Sequence, residues 1–129
     1  MPETEVLFYR DERGDAPVVD WLRELRRTDV RPYAKCVARI RVLAQLGHEL
    51  RRPVADYLRD GVYGLRIRHG HVNYRILYFF HGRAVGVLAH ALTKEDRVPD
   101  VDLERAIKRK AAFQRDPEGH TYEEADDDA

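Results

Sequence analysis

Cysteine is almost absent. Cys36 stands alone in 129 residues, so no disulfide can form within the chain, and a reducing compartment is expected. Long apolar runs are absent as well. The longest, at 76–80 and 84–92, fall short of the about 18 residues that suggest a membrane-spanning helix. The opening Met1-Pro-Glu-Thr-Glu is acidic where a secretory leader would be basic. These absences lead to the expectation of a cytoplasmic protein with no membrane partner. No Gly-x-Ser-x-Gly, P-loop, Gly-x-Gly-x-x-Gly or Cys-x-x-Cys occurs, so the familiar hydrolase, nucleotide-binding and redox signatures are missing. His69, His71, His81 and His90 lie near one another in sequence. No carboxylate or cysteine completes a four-ligand set at zinc spacing, so no metal or other cofactor is expected.

Basic residues are missing from one stretch only. Residues 116–129 hold seven acids and no Lys or Arg, although the whole chain balances 23 basic against 23 acidic groups. The first 115 residues therefore carry a formal excess of +7, and 19 of the 23 basic residues are arginine. Arginine's planar fork suits phosphate, so a basic body with an acidic tail hints at a polyanion partner. The tail lacks a hydrophobic period and is expected to be disordered. The reading divides the chain into a domain over 1–115 and an acidic tail over 116–129, which can act as an intramolecular counter-charge or simply as a solubility tail. An apolar fraction of 43% is enough for one packed core of this size.

Periodicity predicts the elements. Residues 5–10 are rich in β-formers and read as a strand. Pro17 opens a helix whose Val18, Trp21, Leu22 and Leu25 share one face. After a break at Thr28-Asp29, Tyr33, Val37, Ile40, Leu43 and Leu46 continue a helical period to Gly47. Arg23, Arg26, Arg27, Lys35, Arg39 and Arg41 are expected on the outer faces of this hairpin. Beyond Pro53 the period becomes two, with strands at 62–68, 72–80 and 84–92 and turns at 69–71 and 81–83. A last helix follows, capped by Asp100, with Leu103, Ile107 and Ala111 or Phe113 facing inward. The predicted order is β-α-α-β-β-β-α. The predicted class is α+β, with the helical hairpin packed on one face of a mostly antiparallel sheet and the opposite face partly open.

The period of two puts Arg66 and Arg68 on one strand face. Asn73-Tyr74-Arg75 lies across the next turn, and the third strand of the meander ends at His90-Ala-Leu-Thr-Lys94. Arg75 interrupts an apolar strand, and a buried charge must find a partner or a ligand. Arg66 and Arg68 also fit a solvated strand face, Tyr74 and Tyr78 fit a core, and His90 fits a hydrogen-bonded structural role. Cys36, on a helical stripe, reads as a small, partly buried residue rather than a nucleophile.

Three segments carry a resemblance: Leu58-Arg-Asp-Gly-Val-Tyr-Gly-Leu-Arg-Ile-Arg68, Asn73-Tyr-Arg-Ile-Leu-Tyr-Phe-Phe80, and Val87-Leu-Ala-His-Ala-Leu-Thr-Lys94 with Pro99 before a basic helix. In order and spacing the chain resembles the phage-derived HigB-like toxins of the RelE/ParE superfamily over most of residues 5–115. The resemblance implies a RelE-like fold. It also implies the toxin of a type II toxin–antitoxin pair, a metal-independent endoribonuclease acting on mRNA at the ribosome, with a helix-turn-helix, HigA-like antitoxin as partner. It assigns the site to Arg66, Arg68, Tyr74, Arg75, His90 and Lys94, with Arg97, Lys108 and Arg109 as further RNA-binding groups. The implied step is attack of a ribose 2′-OH on the adjacent phosphate. Arg66, Arg68 and Arg75 then stabilise charge, while Lys94, His90, Tyr74 or a ribosomal RNA group moves protons. Two departures stand out. Glu95 occupies a position that is usually basic, with Arg97 two residues on, and no tyrosine occurs between Pro99 and Arg115. Two alternatives stay open: a ParE-like toxin that poisons gyrase, and a catalytically degenerate relative that only binds antitoxin or nucleic acid.

Overall fold

The computed structural model describes residues 3–93 and 96–123. Among them are five strands and three α-helices. β1 spans Glu5–Phe8, α1 Pro17–Thr28, α2 Val30–Leu46, β2 Ala55–Arg59, β3 Val62–His69, β4 Val72–His81, β5 Val85–Thr93 and α3 Asp100–Arg115. The strands form one sheet in the order β1-β5-β4-β3-β2. β1 runs parallel to β5, and every other neighbouring pair is antiparallel. The α+β class and the mostly antiparallel sheet match the sequence reading. The order gains a strand, β2, which that reading left out. β2 and β3 are joined by Asp60-Gly61, both at positive φ (53° and 82°), as a two-residue hairpin turn demands.

Local chemistry accounts for the helix boundaries. Pro17 sits at the start of α1, where its missing N–H costs nothing. Asp29 ends α1 and caps α2, its carboxylate accepting from the Arg31 backbone N–H at 3.1 Å. Gly47 closes α2 at φ 52°, a conformation that favours glycine. α3 starts one residue away from expectation. Pro99 holds the cap position, and Asp100 is the first helical residue.

β1 and β2 lie at opposite edges of the sheet, so the α1–α2 hairpin crosses one face between them. That face buries Leu65, Ile67, Tyr74, Ile76, Tyr78 and Leu88 against Val18, Leu22, Cys36 and Leu43. The alternate side chains Val62, Leu77, Phe79, Val87 and Ala89 pack on the other face against Leu103, Ala106, Ala112 and Phe113 of α3. The helices therefore cover both faces. This corrects the expected arrangement, in which one face was left partly open. The reason is visible in β4, whose 76–80 run is apolar on both parities and has to be covered twice. Cys36 is fully buried, and burial pushes its thiol pKa up to about 12, so it is inert packing.

The segment after α3 also departs from expectation. A 3₁₀ turn at Glu118–His120 brings Thr121 into an antiparallel bridge with Tyr9. His120 is buried and stacks on the Tyr9 ring at 5.5 Å, and the Tyr122 N–H donates to the Phe8 carbonyl at 2.8 Å. Residues 116–123 are thus seated along the β1 edge, held by backbone hydrogen bonds and one ring contact. Residues 124–129, the rest of the acidic tail, lie outside the described residues.

Phe113 is the anchor of α3, packed edge to face on Phe79 at 5.6 Å. Phe113→Ala is expected to destabilise the domain by about 3–5 kcal/mol. Urea unfolding at constant m-value checks this, and a midpoint equal to wild type would contradict the packing of α3 on this face.

Candidate functional site

β2 is too short to cover all of β3. Ala55 pairs with Leu65, the Arg66 N–H donates to the Val54 carbonyl at 2.8 Å, and pairing with β2 stops there. The remainder of β3 forms an open edge beside α2. Here the strand carries Arg66 and Arg68, both exposed, with parity opposite to the buried Leu65 and Ile67. Arg66 stands directly across from Arg75 in the β3–β4 register. A cleft of about 220 Å³ opens at this end of the sheet, lined by Arg39, Pro53, Arg66, Arg68, Asn73 and Arg75 among others.

Arg75 sets the character of the cleft. It is only 7% exposed. Its one hydrogen bond among the described residues goes to the Asp96 carbonyl at 2.5 Å, and it has no carboxylate partner among them. Burial, and then the charge of Arg66, push its pKa below the ordinary arginine value. An arginine stays cationic nonetheless, and it presents five N–H donors in a rigid fork. The Asp56 and Asp96 charges partly offset the burial and the Arg66 charge, but neither forms an ion pair with Arg75, and two arginines placed opposite one another at a cleft suit an anion. Arg66 is kept in place by Asp56, whose two oxygens accept from Arg66 at 3.1 Å and from Arg52 at 2.6 Å. Arg68 donates through Nε to the Gly70 carbonyl at 3.1 Å.

The structure separates the other expected site residues. Tyr74, beside Arg75 in sequence, turns to the opposite face of the sheet. Its ring meets Trp21 edge-on at 6.0 Å, and burial raises its phenol pKa. Tyr74 still borders the cleft, although its side chain is 8% exposed and packs mainly among the core residues under the helical hairpin. His90 was expected to face the cleft in step with Lys94. A bulge in the β4–β5 ladder, where Leu77 pairs with His90 but Tyr78 pairs with Leu88, puts both Ala89 and His90 on the α3 face, the face that also carries Arg66 and Arg75, but His90 is engaged there by α3. His90 Nε2 lies 2.7 Å from the Asp102 carboxylate, and its Nδ1 lies 3.1 Å from the Arg109 guanidinium. Arginine can only donate, so Nδ1 accepts and Nε2–H donates to Asp102. The imidazole is therefore held neutral and in one tautomer. Arg109 is committed to the same network. It also donates to the Ala89 carbonyl at 2.8 Å and lies 5.8 Å from the centre of the Tyr9 ring. Arg97 and Lys108 are exposed. Lys94 and Glu95 lie outside the described residues.

Two residues joined the site that sequence reasoning had not placed there. Arg39 was expected on the outer surface of the helix hairpin, yet it is half-buried and lines the cleft. Its signal was its spacing, three after Cys36 and four before Leu43, which puts a charge on the buried stripe. Asp56 belongs to the strand that went unpredicted. The Asp60-Gly61 dipeptide was the signal for that hairpin.

An α+β domain with an arginine-lined cleft at an open sheet edge is equipped to bind an anion. Residues 20–111 match the sequence profile of the phage derived protein Gp49-like family (DUF891), and the chain belongs to that family. The family is commonly linked to toxins of the RelE/HigB type. No curated protein matches the chain significantly. No helix among the described residues is long and apolar enough to cross a membrane.

The His90 network has a pH signature. Burial, partly opposed by the Asp102 hydrogen bond and assisted by the Arg109 charge, lowers the His90 pKa from its ordinary value of 6.5. Below that value the unfolded chain binds a proton that the folded state does not, so stability falls as pH falls. Chemical unfolding of wild type and of His90→Gln from about pH 7 to about pH 5.5 is expected to show a steeper loss in wild type. Parallel curves would refute the neutral, buried imidazole.

Proposed function

We propose that this protein is the toxin of a type II toxin–antitoxin pair and cleaves mRNA at the ribosome without a metal, with a helix-turn-helix, HigA-like protein as its antitoxin. Membership of the Gp49-like family supports the toxin reading. One observation carries the nuclease reading: Arg75, buried and without a carboxylate partner among the described residues, faces Arg66 in an open cleft. RNA brings its own nucleophile in the 2′-OH. A protein that cleaves it needs to hold the phosphate in line, neutralise developing charge on its oxygens and move protons.

The arginines suit the first two tasks. Arg66 and Arg75 line one cleft from paired positions, and Arg68 and Arg39 extend the positive surface. An arginine does not act as a base at neutral pH. His90, fixed between Asp102 and Arg109, is a support for α3 in this reading rather than a proton carrier. Tyr74 borders the cleft, but it is mostly buried beside Trp21 and burial raises its phenol pKa. Proton transfer falls to Tyr74, to Lys94, which follows β5 in sequence, or to a group of the ribosome.

Induced expression in cells, with the 5′ ends of mRNA mapped, tests the proposal. Wild type is expected to arrest growth and to generate new 5′ ends within reading frames. Arg75→Ala, confirmed as folded by thermal melting, should lower cleavage by about 10²–10³-fold. Undiminished toxicity of the folded variant would overturn the assignment. DNA damage with intact mRNA would point to a gyrase poison, and absence of both to a relative that only binds.

A further inference from the structure

A second cavity, of about 340 Å³, adjoins the arginine cleft on its α2 side. The two share Arg39, Ile67 and Arg68, so they are continuous over the open edge of β3. Ala38 and Val42 add an apolar patch, and Lys35, Arg39 and Arg68 supply the cationic part of the lining. The Lys35 ammonium reaches the Arg68 carbonyl at 3.4 Å, which ties the helix to the exposed strand edge. Two other basic side chains of the hairpin are neutralised locally. Arg27 is paired with Glu24, and Arg31 with Asp29. Lys35 and Arg39 have no carboxylate partner among the described residues. An arginine on the inward stripe of a helix, opening into a groove with an apolar wall, has been placed for a ligand that carries both charge and apolar surface.

We infer that Lys35, Arg39 and the Ala38–Val42 face of α2 form a second nucleotide subsite, which holds the sugar–phosphate unit next to the one bound at Arg66 and Arg75. The inference rests on the proposed RNA-binding role of the arginine cleft and extends it along the strand. The class of ligand follows from the shape. A nucleotide that enters a cavity between a helix and a sheet edge cannot be in a duplex at the same time, so the site takes single-stranded RNA. The bound strand would cross the β3 edge from the Arg75 end toward α2. The cleft alone contacts one phosphate, and the pair of cavities contacts at least two.

Binding of uncleavable 2′-O-methyl RNA tests this directly. The probes are a single-phosphate dinucleotide, followed by NMR titration, and a hexanucleotide, followed by fluorescence anisotropy. The variant is Lys35→Ala with Ala38→Glu. Both residues are exposed, and both line only the second cavity. The double variant should bind the hexanucleotide about tenfold more weakly at low salt. Its slope of log affinity against log salt should be shallower by about 0.7, the value for one phosphate contact on a single strand. Its affinity for the dinucleotide should match wild type, whereas Arg75→Ala should weaken both probes. If the double variant binds the hexanucleotide like wild type while Arg75→Ala weakens it, the second subsite is overturned and the arginine cleft stands. Equal binding of a hexanucleotide duplex would overturn the single-strand preference. Failure of wild type to bind either probe would overturn the cleft reading together with this one.

Discussion

β4 is covered on both faces, by the helical hairpin on one side and by α3 on the other, and it is paired along both edges. Positions 74–79 are all buried, yet they include Arg75 with only 7% of its surface exposed. Burying a guanidinium is costly unless its donors are met. The structure meets one donor with the Asp96 carbonyl and places a second arginine directly across, with the Asp56 and Asp96 charges partly offsetting the repulsion. The neighbouring features follow from that constraint. β2 stops at Ala55 on its pairing with β3, Pro53 lines the cleft beyond it, and the cleft reaches Arg75.

The two helical layers have different duties. The α1–α2 hairpin supplies most of the apolar cover and, through Arg39, one wall of the cleft. α3 is attached to β5 through Asp102, His90 and Arg109, and to β4 through the Phe79–Phe113 contact. The 96–99 segment leads directly into α3 and carries the carbonyl that holds Arg75. The position of α3 and the orientation of the buried guanidinium are therefore mechanically linked. Residues 116–123 return to the β1 edge, at the other side of the sheet from the β3 edge.

Much of this was legible in the residues. The hairpin helices were marked by Pro17, Asp29 and Gly47 together with a clear 3.6 period. β3, β4 and β5 were marked by alternation and by glycine turns. Arg75 stood out because a charge within an apolar strand has few benign explanations. β2 was less visible, since five residues following a proline give too few alternations to register, and only Asp60-Gly61 pointed to it. The seating of residues 116–123 was hidden because it depends on backbone bonds to β1 and on a histidine stacking on Tyr9, neither of which leaves a periodic trace.

Sequence by itself determined the α+β class, the helix and strand periods, the reducing-type cysteine content and the presence of arginines at phosphate-binding spacing. These are local properties, set by one or two turns of chain and by composition. Tertiary structure alone decided which of those groups meet. Arg66 and Arg75 face one another because of a pairing register. Tyr74 borders the cleft yet packs its ring under the helical hairpin, because adjacent strand residues point in opposite directions. His90 is turned into a network with Asp102 and Arg109 because a single bulge shifts the parity of β5. Arg39 joins the cleft because α2 passes over the part of β3 that β2 does not reach. Register, bulges and strand length are settled by contacts between segments far apart in the chain, and for that reason the composition of the site could be read before its membership could.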